Sequence, residues 1–445
     1  MKTPIYDFIK KYAESDISRF HMPGHKGRGP LGVEAFDITE ICGADVLYSA
    51  DGIIAESENN ATELFGTAHT FYSAEGSTLA IKAMLALACS KNKDGKPLVL
   101  AARNVHKAFV YAAALLDFDI EWVYPSKSSH LCSCPITAAD IEAAMLNSKK
   151  APVALYLTSP DYLGNLADIE EISKVCEKHG VMLLVDNAHG AYLNFLEASK
   201  HPIALGAHIC CDSAHKTLPV LTGGAYLHIS KNADPEFLTL ARNSLSLFAS
   251  TSPSYLRLGS LDSCNAYLAD GYKEKLNALV KKTGETKKRL GEFGFEVTDS
   301  EPLKITISTR SAGYTGIEIA EYLRQNGVES EFADDEYLVL MASTSNTDKD
   351  FDKLISAFKA LEIKASLKPC QNFEPQNHTA QMSIREAVFA AREVICASAS
   401  AGRISASPTV SCPPAVPIVI SGEKITEKDV EDFSRYGIDH VEVVK

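Results

Sequence analysis

The 445-residue chain has no apolar run of membrane-spanning length that is free of charges. Its start, Met1-Lys2-Thr3-Pro4-Ile5-Tyr6-Asp7, lacks an apolar stretch ahead of a small-residue cleavage site. On this reading secretion and membrane insertion are excluded, and a cytoplasmic location is expected. Basic residues are in deficit: 44 Lys and Arg stand against 57 Asp and Glu, a net charge of −13. That sign repels nucleic acid and anionic lipid and suits a cationic small molecule. Internal repeats and low-complexity tracts are missing, so neither a solenoid nor a disordered chain is expected. The cysteines lack the spacing of a small disulfide scaffold. There are eleven, an odd number scattered over a long chain, and reduced thiols are expected. His130, Cys132 and Cys134 form a His-x-Cys-x-Cys cluster, but no second ligand pair at zinc-like spacing follows. The cluster therefore reads as a surface loop, with no metal.

What is present is a globular composition, 46% hydrophobic, enough for one large domain and smaller ones. Apolar runs at residues 98–102, 153–158, 181–186, 207–212 and 225–229 alternate with helical patterns, and Cys210 and Cys211 fall inside one of these strands. The alternation predicts an α/β fold, a mostly parallel sheet flanked by helices, with ligands at the carboxyl ends of the strands. A helix is predicted over 77–88, and a long amphipathic one over 265–293. Strands over 302–308 and 337–341 around a helix at 316–326 predict a separate small α/β unit. Beyond residue 368 a helix at 383–398 precedes a proline-rich loop at 408–417, a strand at 418–420 and a charged helix and strand. The expected division is 1–50 as an N-terminal segment, 51–270 as the large domain, 271–365 as a small α/β domain and 366–445 as a C-terminal domain.

Amino-acid chemistry on pyridoxal phosphate needs a lysine, a carboxylate for the ring nitrogen, a phosphate cradle and a flat group on the ring. The chain offers all four just after predicted strands. Asp186 ends the run Val181-Met182-Leu183-Leu184-Val185, and Lys216 follows Asp212-Ser213. Gly76-Ser77-Thr78 stands at a helix start, where backbone N–H groups suit a phosphate. His106 follows the strand 98–102 and can lie against a ring. Ser213 and His215 precede Lys216, and Ala188 is small enough for a ring to pack closely. Taken singly, each has a plainer reading: Lys216 as a solvated loop lysine, Asp186 as a turn residue, Gly76-Ser77-Thr78 as an ordinary helix cap, His106 as a hydrogen-bonded loop histidine. Their joint placement points to the cofactor.

These residues sit in strings that resemble the fold-type-I bacterial ornithine/lysine/arginine decarboxylases, in the short form without an N-terminal receiver-like domain. The strings are Arg19-Phe20-His21-Met22-Pro23-Gly24-His25-Lys26, Asp37-Ile38-Thr39-Glu40, Glu75-Gly76-Ser77-Thr78 and Arg103-Asn104-Val105-His106-Lys107. They continue with Asp186-Asn187-Ala188-His189-Gly190-Ala191, Ser213-Ala214-His215-Lys216-Thr217-Leu218-Pro219 and Thr251-Ser252-Pro253-Ser254-Tyr255. The Ala-His-Lys-Thr-Leu-Pro string is specific to the group, whereas Gly-Ser-Thr alone is not. The resemblance implies a pyridoxal-phosphate transferase fold, a Schiff base on Lys216, Asp186 on the ring nitrogen, His106 stacked on the ring and His189 in the cofactor site. It further implies decarboxylation of arginine, lysine or ornithine for polyamine or diamine synthesis, in a homodimer whose sites lie at the subunit interface. Lys216 or His215 would return the proton after carbon dioxide leaves.

The chain departs from the family pattern at Asn187, usually Glu, at Gly223, usually Gln, at Ala415, usually Gly, and at Ser421, usually Pro. Glu423, Glu386 and Asp51 are candidates to face the substrate's distal cation, each with a plain alternative as a solvated acid. Two other readings stay open: another fold-type-I reaction such as amino transfer or β-elimination, and a catalytically silent paralogue.

Overall fold

The computed structural model describes residues 1–125, 130–370, 373, 378–410 and 415–445. Seven strands carry the main architecture: β1 (His69–Ser73), β2 (Leu98–Ala102), β3 (Asp119–Val123), β4 (Ala154–Thr158), β5 (Met182–Asp186), β6 (Ile209–Asp212) and β7 (Ala225–Ile229). Among them lie helices α1 (Pro4–Ala13), α2 (Ile53–Phe65), α3 (Gly76–Cys89), α4 (Lys107–Leu116), α5 (Ala138–Asn147), α6 (Ile169–His179), α7 (Ala214–Thr217) and α8 (Glu236–Ser246). Two more follow, α9 (Tyr255–Ala269) and α10 (Tyr272–Glu292). The chain gathers into two compact units, Met1–Asn92 with Ile169–Asn277, and Lys93–Asp168 with Ala278–Lys445.

In the first unit the strand order is β1-β7-β6-β5. β5 and β6 are parallel, while β7 runs antiparallel to both β1 and β6. The register pairs Ser73 with Ala225, Asp212 with Tyr226 and Asp186 with Cys211. One edge of this sheet therefore collects the carboxyl ends of β1, β5 and β6 and the start of β7. α3 packs on β6 and β7 through an almost wholly apolar face, including Leu79, Ala83, Met84 and Leu87, all buried. Asp262 of α9 accepts the N–H groups of Ile5 and Tyr6 at 2.9 Å each, closing the start of α1, whose proline sits in the first turn where a missing N–H does no harm.

In the second unit β4-β2-β3 are all parallel. Here too lies an antiparallel sheet built on Lys304–Ser308 and Tyr337–Met341, with the helix Gly316–Gln325 over it, as the alternating runs predict. The fold is thus mixed α/β with mostly parallel main strands and flanking helices.

Three expectations are corrected. The helix predicted over 265–293 is two helices, α9 and α10, broken at Asp270-Gly271, where Gly271 takes φ +65°. The helix predicted over 383–398 stops at Phe389, and Arg392–Cys396 is a strand pairing antiparallel with His440–Val444. That tertiary pairing outweighs the helical propensity of Arg392-Glu393. The His130 cluster is not on the surface: His130 and Cys132 are buried, and His130 Nε2 lies 2.8 Å from the Asp334 carboxylate. Of the proline-rich loop, 411–414 lies outside the described residues.

Candidate active site

The sheet edge of the first unit gathers the predicted cofactor residues of that unit. β1 leads through Ala74-Glu75 into Gly76-Ser77-Thr78, the first turn of α3. β5 ends in Asp186, which is 2% exposed, and its Oδ1 accepts the Ala188 N–H at 3.1 Å. That bond folds the chain back at the strand end, so Ala188 and His189 sit beside the carboxylate. β6 ends in Asp212 and runs through Ser213 into the short helix α7, which carries His215 and Lys216.

Two contacts tie these segments together. Lys216 Nζ lies 2.8 Å from His189 Nε2. The Ser213 hydroxyl donates to Ser77 Oγ at 2.9 Å. The backbone is fixed from the β7 side, because the Gly76 N–H donates to the Gly223 carbonyl at 2.7 Å and the His215 N–H to the Gly224 carbonyl at 3.2 Å. His215 Nδ1 meets the same Gly224 carbonyl at 3.0 Å, which sets the ring's orientation and leaves Nε2 as the acceptor.

A phosphorylated pyridine aldehyde fits this set. α3 has no side-chain cap: its N-cap Glu75 instead accepts the Ser250 N–H at 2.7 Å. With the Gly76 N–H held by the Gly223 carbonyl, the N–H groups of Ser77 and Thr78 in the first turn of this fourteen-residue helix are left to an anion. A Cβ at Gly76, φ +73°, would meet nothing within 4 Å, so the mouth of the cradle is open. The Thr217 hydroxyl, next to Lys216, is buried without a hydrogen-bond partner among the described residues. A primary amine, a buried carboxylate and an open helix start on one strand edge are what such a group needs.

Behind the site lies a closed polar network. Asp212 is fully buried, and its Oδ2 faces His201 Nε2 at 3.0 Å and His228 Nε2 at 3.1 Å, while Oδ1 accepts from Asn187 Nδ2 at 2.6 Å. Burial works to raise this carboxyl's pKa, but His201 and His228 outweigh it and hold Asp212 well below the usual carboxylate range. With Cys210 these side chains form a set of metal-ligand type whose donor atoms all lie within 4.8 Å. The hydrogen bonding reads differently: His201 Nδ1 accepts the Ile203 N–H at 3.4 Å, which puts its ring proton on Nε2, aimed at Asp212. The group is a caged carboxylate. Asn187 belongs to this cage, not to the cofactor side, as the departure from Glu left open.

Of the remaining candidates, Asp51 belongs to the first unit and His106, Glu386 and Glu423 to the second. Asp51 is exposed just ahead of α2. His106 is in the second unit, where its Nδ1 caps α4 by accepting the Ala108 N–H at 3.1 Å. Glu386 accepts the Ser383 N–H and hydroxyl at 2.9 and 2.8 Å in a capping box. Glu423 is buried, accepts the Ile420 N–H at 2.7 Å and lies 3.5 Å from both Arg103 and His378. Both carboxylates serve the fold at these contacts. Ala415, the departure from glycine, adopts φ +59°, and its carbonyl accepts the Lys107 N–H at 3.0 Å at the start of α4.

Residues 3–299 match the Orn/Lys/Arg decarboxylase major domain. The arginine decarboxylase of Bacillus subtilis (strain 168) is 29% identical over 96% of this chain and 92% of its own length. The arginine decarboxylase of Halalkalibacterium halodurans is 29% identical with the same coverage. Among solved structures, the lysine decarboxylase of Francisella novicida superposes with a TM-score of 0.80 at 18% identity, covering 100% of this chain and 81% of that one, a likeness of fold. With the match running through the strand edge that carries Asp186 and Lys216, the chain belongs to the Orn/Lys/Arg decarboxylase family and is a decarboxylase of basic amino acids.

Proposed function

We propose that the chain binds pyridoxal 5'-phosphate on Lys216 and converts a basic amino acid, arginine first among arginine, lysine and ornithine, to its amine for polyamine or diamine synthesis. The observation that carries this is the placement of the Lys216 amine on the same sheet edge as the buried Asp186 and the uncapped start of α3. Arginine leads because several near full-length relatives are named arginine decarboxylases. When bound, the cofactor withdraws electrons from the substrate's Cα as carbon dioxide leaves.

The chain's own residues then have distinct tasks. Asp186 holds a proton on the ring nitrogen, since its buried carboxylate stabilises a cation opposite it. Ser77, Thr78 and Ser213 supply phosphate donors, Gly76 shapes the turn that presents them, and Ala188 leaves room for the ring. His189 holds the Lys216 amine, and Lys216 or His215 returns the proton to Cα. The stacking role of His106 rests on the family resemblance alone. Glu423, Glu386 and Asp51 remain candidates for the distal cation by charge.

We also read the protein as a cytoplasmic homodimer with the four-part domain division given above. The described cysteines are free thiols, and no helix among the described residues is long and apolar enough to cross a membrane. Phe20 is 96% exposed and Met22 and Leu31 lie in the same exposed stretch, which favours self-association. The test is to incubate the purified protein and pyridoxal phosphate with arginine, lysine and ornithine and to search for agmatine, cadaverine and putrescine by mass spectrometry, with Lys216→Ala alongside. One dominant amine, absent in the variant, is expected. No amine from any of the three, despite a borohydride-fixed adduct on Lys216, would move the reading to another reaction of the same cofactor.

A further inference from the structure

Arg257 is a cation beside this site that no family string assigns. It lies in the first turn of α9, half-buried, with Nη1 donating to the Ala74 carbonyl at 2.7 Å. Ala74 belongs to the turn between β1 and α3, two residues before Gly76. The other side of the guanidinium rests on Gly223, where a Cβ would lie 2.9 Å from Arg257 Nε and 3.0 Å from Cζ. The Gly223 carbonyl is the acceptor for the Gly76 N–H. Arg257 therefore touches both backbone segments that fix the opening turn of α3.

The electrostatics of this placement are unfavourable without an anion. Arg257 makes no ion pair among the described residues. It stands at the start of its own helix, where a positive charge opposes the helix dipole, and beside the positive end of α3, which has no side-chain cap. The adjacent acid, Glu75, turns its carboxylate to the Ser250 N–H. A guanidinium and an uncapped helix start together bind a dianion through charge-assisted hydrogen bonds, and a planar fork suits a phosphate better than a point charge does.

We propose that Arg257 anchors the cofactor's phosphate together with the start of α3, and that a side chain at Gly223, whose φ of +95° already favours glycine, would also displace the guanidinium. The inference rests on the cofactor reading above and names a residue that reading did not contain.

The experiment compares pyridoxal phosphate with pyridoxal, which keeps the aldehyde and ring but lacks the phosphate. Apparent dissociation constants are measured on the full apo-chain from the fraction of Lys216 fixed by borohydride, for wild type, Arg257→Gln, Arg257→Lys and Gly223→Ala. Arg257→Gln is expected to weaken pyridoxal phosphate by about tenfold or more while moving pyridoxal less than about threefold. Arg257→Lys should fall between, and Gly223→Ala should follow Arg257→Gln because it shifts the guanidinium. Inorganic phosphate, added as competitor, should slow loading of wild type more than of Arg257→Gln. If Arg257→Gln fails to fold by circular dichroism, Arg257→Lys decides by the same ratio. An unchanged ratio of the two affinities would overturn the role of Arg257 alone. A wild-type chain that forms no adduct with either aldehyde would overturn the cofactor reading and this inference with it.

Discussion

Lys216 Nζ and His189 Nε2 lie 2.8 Å apart, so the amine that reacts with an aldehyde has a proton acceptor already in place. An ammonium must lose a proton before its lone pair can attack a carbonyl, and an imidazole in hydrogen-bond contact takes it without rearrangement. Replacing His189 by Leu should slow the addition of pyridoxal phosphate to the apo-protein by about ten- to a hundredfold, and by Gln somewhat less. The time course of borohydride-fixed adduct, read by intact mass, measures this. Equal rates in wild type and His189→Leu would show that the contact is only structural.

The Asp212 cage gives a paired prediction. Asn187→Glu restores the family's residue but puts a second carboxylate against Asp212 in a fully buried site. Two carboxylates sharing such a site cannot both ionise, so the variant should lose about 2–4 kcal/mol, less at acid pH. Asn187→Glu with Asp212→Asn moves the charge across the same hydrogen bond and should recover most of that loss. Urea unfolding of the two variants decides it.

Asp262 should make stability depend on pH. Burial pushes its carboxyl up to about 6, although Ser57 and the N–H groups of Ile5 and Tyr6 oppose the shift. The folded chain thus keeps a proton that the unfolded chain has released. Stability from this group is full below the ordinary value of 3.8, falls as pH rises toward 6, and is level above. In Asp262→Asn the amide oxygen can still accept from the two N–H groups. Its unfolding free energy relative to wild type should rise by about 2 kcal/mol between pH 4 and pH 7. A difference that stays constant with pH would mean that Asp262 titrates alike in both states.

Ala415 stands at φ +59°, a conformation that costs an alanine more than a glycine. Ala415→Gly should therefore stabilise the protein by about 0.5–1 kcal/mol, after allowing for the freer unfolded chain. A rise in the thermal midpoint checks it, and a fall would show that the alanine methyl contributes packing worth more than the strain.

The sequence shows most clearly the features set by local patterns. Five of the seven main strands are short apolar runs, so Asp186 was visible at one strand's end and Lys216 just beyond another, and the register then joins those ends on one edge. β1 and β3, whose runs carry polar residues, were not read from the sequence. What the sequence hides are partners far along the chain. His130 looked like a surface residue because nothing near it reveals Asp334. Residues 392–396 carry a helix-like pattern and become a strand only through His440–Val444. Arg257 falls outside every helix read from the sequence, and its place shows only when Gly223 and Ala74 are seen against it. Gly223, where the family usually has Gln, was the signal available.

The start of α4 depends on chain that is made much later. Arg103 donates to the carbonyls of Pro417 and Ile418 at 2.9 Å each, and the Lys107 N–H donates to Ala415, so the loop bearing His106 is fixed by residues about three hundred positions downstream. At about 5–20 residues per second, a ribosome needs roughly a quarter of a minute to a minute to bridge that interval. For the later part of that time, once Lys216 has been made, the nascent chain can have its lysine and its helix start in place and still lack the backbone that holds His106. Translation order thus withholds the finished loop until the polypeptide is nearly complete.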